Sequence, residues 1–208
     1  MSNSYFIVGT DTNCGKTYVT VKLVDYLRQQ QTSVLAIKPI VSGGNEDILA
    51  LQSANAQITP PICGWLMPQP VSPHLAAKNA GIRLSAAEIG HFCQSYPREA
   101  YDTLLIEGAG GLMVPLNDQE TWIDFLKQTA LPVIVIVGMR LGCINHALLT
   151  MAVLQMHNLR CAGWIANFID PMMLMQKDNL DTLSTAIAPP LLGSVSFHGG
   201  FTPHAFII

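Results

Sequence analysis

The residues best equipped for chemistry lie between Gly9 and Thr17, in the run Gly-Thr-Asp-Thr-Asn-Cys-Gly-Lys-Thr. Glycines let backbone N–H groups curl around phosphate oxygens, and the following helix N-terminus adds positive potential. Lys16 would reach the outer phosphates, and the Thr17 hydroxyl would ligate Mg²⁺. Five residues separate Gly9 from Gly15, one more than in the usual phosphate-binding loop. Further along stand a second lysine, Lys38, with Ser42 close behind it, and two acidic candidates for a metal, Asp47 and Glu107. Two lysines facing one phosphate site suit transfer of a phosphoryl group to an anionic acceptor. Spacing alone leaves the acceptor open.

Such a site needs strands to carry it. An apolar run, Tyr5 to Val8, leads into the loop, and Val19, Leu23, Tyr26 and Leu27 mark one face of the helix after it. Further strands are expected at Val34–Ile37, Thr103–Ile106, Val133–Val137, Ala162–Ala166 and Leu191–Val195. Helices are expected at Ile48–Ala54, after Ser85 (a capping box with Glu88), at Trp122–Gln128, through Ala147 to Gln155, and at Asp178–Ala186. Strand and helix alternate throughout. The expectation is therefore an α/β chain, a single domain over 1–208, with a mostly parallel sheet and helices on both faces. In open α/β sheets the ligand lies beyond the carboxyl ends of the strands, where Lys38, Ser42 and Glu107 would stand.

Plainer readings compete at several positions. Asp47 is also suited to the first turn of a helix, and Cys14 to a small filler position. Asn167, ending its strand, could meet a purine edge or cap a turn. Thr59 to Pro73 reads as a Pro-rich connection without periodicity, a kind of segment that is often functional. His91 reads as surface, and His198 and His204 form no metal site.

Half of the 208 residues are hydrophobic and 12% are charged, which suits a well-buried parallel sheet. The net charge of −3, with lysines and arginines scattered, argues against a nucleic-acid partner. The longest apolar run, Leu131 to Met139, is far short of the ~20 residues that span a bilayer. Met1-Ser2-Asn3-Ser4 lacks the basic and apolar regions of a signal peptide, so a cytoplasmic chain with no membrane partner is expected. The five cysteines are widely spaced, with no Cys-x-x-Cys pair, and reduced thiols are expected.

Several segments, taken in order, resemble one family. Gly-Thr-Asp-Thr-x-x-Gly-Lys-Thr at 9–17, Lys-Pro-x-x-Ser-Gly at 38–43 and Ser-Pro-His at 72–74 are similar to ATP-dependent dethiobiotin synthetase. So are Glu-Gly-Ala-Gly-Gly at 107–111, Leu-Gly-Cys-Ile-Asn-His-Ala at 141–147 and Ala-Gly-Trp-Ile-Ala-Asn at 162–167. The resemblance implies a P-loop NTPase-type three-layer fold and a homodimer with its site at the subunit interface. It also implies conversion of 7,8-diaminononanoate, CO₂ and ATP, with Mg²⁺, into dethiobiotin, ADP and phosphate.

By the same resemblance Lys16, Lys38 and Thr12 are catalytic, the lysines stabilising a carbamate and the transferring phosphoryl group. Thr12 and Ser42 orient the diamine end of the substrate. Asn13, Cys14, Gly15, Lys16, Thr17, Tyr18, Glu107, Gly108, Ala109, Gly110 and Asn167 bind the nucleotide, Asn167 at its adenine. Thr17, Asp47 and Glu107 hold Mg²⁺, and the segment Cys143, Ile144 and Asn145 receives the substrate's distal carboxylate across the dimer interface. Two residues depart from the family pattern: Asn13 stands where Glu is frequent, and Phe168 where Asp is common. The rival reading is a P-loop ATPase switch of the partitioning or septum-positioning type. Such switches carry a second lysine near the start of the loop, and Thr10-Asp11-Thr12 has none.

Overall fold

A computed structural model describes residues 3–56 and 61–205. Seven strands form one sheet: β1 (Asn3–Gly9), β2 (Val34–Ile37), β5 (Thr103–Gly111), β6 (Val133–Met139), β7 (Cys161–Phe168), β8 (Leu191–Val195) and β9 (Phe201–Pro203). Their order is β2-β5-β1-β6-β7-β8-β9. All pair in parallel except β9, which runs antiparallel to β8.

Helices cover both faces of this sheet. Successive strand residues point to opposite faces, yet all seven residues of β6 are buried. On β1, Phe6 packs against Trp122 and Phe125 of α5 (Trp122–Thr129), with ring centroids 5.0 and 5.2 Å away. Its neighbours Ile7 and Val8 are buried as well. Helix α1 (Lys16–Gln29) buries the expected stripe Val19, Leu23 and Leu27, together with Val24, and leaves Tyr26 partly buried.

At the open edge of the sheet, Asn55 replaces a missing strand. Its Oδ1 accepts from the Ala36 N–H at 2.9 Å and its Nδ2 donates to the Ala36 carbonyl at 2.7 Å. The backbone groups of Ala36, in the middle of β2, are thereby satisfied by a side chain rather than by another strand.

The structure differs from the sequence expectation most in the Pro-rich connection, at the start of α2, at the end of β5 and in the tail. The Pro-rich connection is not irregular where described: β4 (Trp65–Met67) pairs in parallel with β3 (Ile40–Ser42) as a separate small sheet. Helix α3 (Pro73–Asn79) then begins at Pro73, whose missing N–H costs nothing in a first turn. Three-residue strands carry too little alternation to be read from sequence. Thr59 and Pro60 of that connection lie outside the described residues. Helix α2 (Glu46–Ala54) starts before Ile48, which puts Glu46 and Asp47 in its first turn, where carboxylates are favoured. Strand β5 runs on past Ile106 to Gly111, because its glycines continue the ladder beside β1. The tail supplies β9, whose Phe201 stacks near Tyr26 of α1 at 5.1 Å.

The remaining helices are α4 (Ala86–Gln94), α6 (Cys143–Met156) and α7 (Gln176–Ala186). Ser85 caps α4 as expected, its Oγ accepting from the Glu88 N–H at 3.2 Å. No helix among the described residues is long and apolar enough to cross a membrane.

Candidate active site

Strand β1 lies between β5 and β6, and the chain leaves β1 toward β2 but leaves β6 toward β7. That reversal opens a crevice at the carboxyl ends of the central strands, where α/β sheets bind ligands. The loop from Gly9 to Gly15 fills its floor, with the Thr10 N–H held by the Ile136 carbonyl at 3.0 Å.

Local sequence sets the loop's shape. Gly15 adopts φ +80° immediately before α1, and a Cβ there would fall 2.2 Å from Asn167 Nδ2. A Cβ on Gly9 would fall 2.4 Å from the sulfur of Cys14. Only glycine meets both conditions. Asn13 sits at φ +60°, a left-handed conformation that Asn tolerates better than most residues.

A cleft of about 740 Å³ opens above the loop. Of the sequence-selected residues, Thr12, Asn13, Gly15, Lys16, Thr17, Tyr18, Lys38, Ser42, Asp47, Ala109 and Gly110 line it. Lys38 leaves the end of β2 and enters the centre of this cluster. Its Nζ donates to Glu107 Oε1 at 2.7 Å and to Thr17 Oγ1 at 3.2 Å, and pairs with Asp47 Oδ2. Thr17 Oγ1 in turn donates to Glu107 Oε1 at 2.5 Å.

The electrostatics follow from burial. The Lys38 side chain is 7% exposed, Glu107 is fully enclosed and Asp47 is 46% exposed. Burial alone would depress the Lys38 pKa, but the Glu107 and Asp47 carboxylates outweigh it and hold the ammonium above the ordinary lysine value. Burial pushes the Asp47 carboxyl up, and Lys38 beside it draws it below its usual range.

The donor set fits Mg²⁺. Thr17, Asp47 and Glu107 offer only oxygens, the hard ligands that this ion takes. Oε2 of Glu107 is buried without a hydrogen-bond partner, an acceptor that a cation would satisfy. No group of three or more His, Cys, Asp or Glu suited to a metal occurs among the described residues. Mg²⁺ needs only one or two carboxylates beside phosphate oxygens.

Other contacts of the selected residues lie outside this cluster. The Cys14 side chain is in the core, as a filler between Gly9 and Gly138, where a Cβ would fall 2.9 Å from its own Cβ. Gly108 lies against the Phe6 ring, with room for no Cβ. Asn167 is buried, and its Nδ2 donates to the Cys14 carbonyl at 2.8 Å. Tyr18 Oη donates to the Gly199 carbonyl at 2.8 Å and ties the tail to α1. Cys143, Ile144 and Asn145 form the first turn of α6, behind Gly142 at φ +94°, and do not line the cleft of their own chain.

Three features escaped the sequence reading. Pro70, Val71, Ser72 and Pro73 form one wall of the cleft, a role signalled beforehand only by the aperiodic stretch that contains them and by the Ser-Pro-His segment at 72–74. Arg140 pairs with Asp11, which fixes the start of the loop, and nothing in the sequence links two residues so far apart. A second groove of about 420 Å³ adjoins the first, sharing Thr12 and Val114, with walls from Leu112, Met113, Leu149 and Val153.

Comparison with known proteins adds to this geometry. A family model described as an AAA domain matches residues 3–205. The ATP-dependent dethiobiotin synthetase BioD of Legionella pneumophila (strain Corby) is 46% identical over 203 residues, covering 94% of each chain. That of Aromatoleum aromaticum is 39% identical over 214 residues, covering 96% of this chain and 93% of its own. Among solved structures, chloroplast FtsY from Physcomitrella patens superposes with a TM-score of 0.65 at 15% identity, over 99% of this chain and 63% of its own. The septum site-determining protein MinD of Pyrococcus horikoshii, solved with Mg-ADP, gives 0.59 at 17% identity, over 94% and 82%. At such identities the structural likenesses are of fold, that of the P-loop NTPases.

Proposed function

The chain belongs to the dethiobiotin synthetase family, and on that premise we propose that it closes the ring of dethiobiotin, in biotin biosynthesis, from 7,8-diaminononanoate, CO₂ and ATP. The observation that carries this reading is Lys38: a second lysine, from a different strand, delivered into the phosphate cleft beside Thr17. A switch ATPase would carry its second lysine near the start of the loop, whereas here the second lysine comes from the end of β2.

The reaction divides into three steps. One substrate amine adds to CO₂ and forms a carbamate with release of a proton. A carbamate oxygen then attacks the γ-phosphorus, the bond to the bridging oxygen breaks, and ADP leaves. The second amine attacks the carbonyl of the resulting mixed anhydride, loses a proton, and expels phosphate to leave the cyclic urea.

Lys16 and Lys38 would neutralise the carbamate and the γ-phosphoryl oxygens, so that two anions can approach. Thr12 and Ser42 would orient the diamine at the mouth of the cleft. Thr17, Asp47 and Glu107 would hold Mg²⁺, which when bound offsets charge on the β- and γ-phosphates. Asn167 and the tail beside Tyr18 would border the base. The apolar groove that continues from Thr12 suits the alkyl chain of the substrate. Its carboxylate would meet the first turn of α6, Cys143 to Asn145, contributed by the second subunit of a cytoplasmic homodimer. Leu141, 94% exposed, and the exposed Leu149 and Met156 support a partner-facing surface there.

The test is ADP release from Mg-ATP with and without the diamine and bicarbonate. Release that requires both, with labelled carbon appearing in an acid-stable urea, is expected. Release indifferent to the diamine would reject the reading.

A further inference from the structure

We propose that Lys38 is a tethered cation that shares one oxygen cradle with Mg²⁺, so that loading of the metal and delivery of the lysine to the phosphoryl group are a single exchange. The proposal rests on the metal and lysine roles given above and adds a coupling between them.

The ammonium has three N–H donors, and the site offers Glu107 Oε1, Thr17 Oγ1 and Asp47 Oδ2. These three side chains are the ones that suit Mg²⁺. The conflict is sharpest at Thr17. Its hydroxyl proton goes to Glu107 Oε1 and its oxygen accepts from Lys38, so the ammonium already takes one of the two lone pairs that a metal could use. Mg²⁺ sits about 2.0–2.1 Å from its ligands. Bound to these oxygens, it would lie within roughly 4 Å of Nζ, where two like charges in an enclosed site repel strongly. One cation at a time can occupy the cradle. The carboxylates keep a counter-charge in either case, so the exchange leaves no buried anion unpaired.

A displaced Lys38 remains anchored at the end of β2 and has only the cleft to turn into. Ser42, on the next strand, lines the same wall. The lysine is thus withheld from the reaction until the metal arrives. Lys16 differs: its Nζ lies beside Gly9 and makes none of these contacts.

The experiment titrates Mn²⁺, as a probe for Mg²⁺, into the full chain without nucleotide and follows free Mn²⁺ by its EPR signal. Lys38→Met should bind Mn²⁺ about tenfold tighter or more than the parent. Lys38→Arg should stay weak, and Lys16→Met should gain much less. Equal affinity in Lys38→Met and the parent would overturn the exchange alone, as would an equal gain in Lys16→Met, which would make the effect a general field. No Mn²⁺ binding by any of these proteins, even with ADP, would overturn the exchange and the metal assignment together. Circular dichroism checks that each variant folds. A second measurement needs only the parent: acylation of Lys38 by an activated ester should rise with Mg-ADP compared with ADP and a chelator. Identical labelling would reject the exchange.

Discussion

The side-chain amide of Asn167 donates to the carbonyl of Cys14 at 2.8 Å and so joins the end of β7 to the phosphate-binding loop across 153 residues of chain. The same amide fills the space that a Cβ on Gly15 would need. Asn167 therefore holds the loop from outside, whatever it also does for a base.

Asn167→Ala leaves the Cys14 carbonyl without its donor. Losing a buried partner costs about 1–3 kcal/mol. Denaturant unfolding should show that loss, and ATP titration a weaker affinity. An unchanged ATP affinity would mean that the loop keeps its shape unaided.

Gly15→Ala should abolish ATP binding while leaving a folded chain. The left-handed backbone costs an L-residue about 1–2 kcal/mol, and the methyl group collides with Asn167 besides. Since the collision is with that one side chain, the double variant Gly15→Ala/Asn167→Ala should be less impaired than the sum of its parts. Additive losses in a double-mutant cycle would remove Asn167 from the explanation.

The two acidic partners of Lys38 should differ in what they contribute to stability. Glu107 is fully enclosed, and breaking a buried pair costs about 3–5 kcal/mol. Asp47 is nearly half exposed, and pairs of that kind contribute about 0.2–1 kcal/mol. Urea melts of Glu107→Gln and Asp47→Asn should fall in that order. The reverse order would contradict the burial argument.

Alkaline stability tests the buried thiols. Burial pushes the Cys93 thiol up to about 12 and Cys161 up to about 11, against 9.0 for a free thiol. Above pH 9 the unfolded chain releases these protons first, so it binds fewer of them than the native state and stability falls as pH rises. The fall should continue to about pH 11 for Cys161 and about pH 12 for Cys93. Cys93→Ala should flatten the slope of unfolding free energy between pH 9 and 11, and an identical slope would show that the thiol is not protected.

What could be read beforehand was the part with short-range grammar. The glycines, lysine and threonine of the loop, the strand before it and the helix after it are contiguous, and their periodicities are regular. Lys38 and Glu107 were legible as groups at strand ends. Their mutual contact was not, because it depends on β5 lying between β1 and β2, a sheet order that no local pattern encodes. The Asp11–Arg140 pair and the Asn167–Cys14 bond have the same cause. Cys14 has the filler position that its size suggested, and the packing of Gly108 on Phe6 depends on a partner that no local pattern names. The small β3–β4 sheet was missed because three residues are too few to show alternation.

The account turns on a carbamate oxygen attacking the γ-phosphate in this cleft. The direct test supplies ¹⁸O-labelled CO₂, faster than it exchanges with water, to the chain with the diamine and Mg-ATP, and analyses the released phosphate by mass. One labelled oxygen per phosphate is predicted, with the other retained in the urea carbonyl. Phosphate without the label, its fourth oxygen drawn from solvent, would mean that water is the nucleophile, and the proposed chemistry would be wrong.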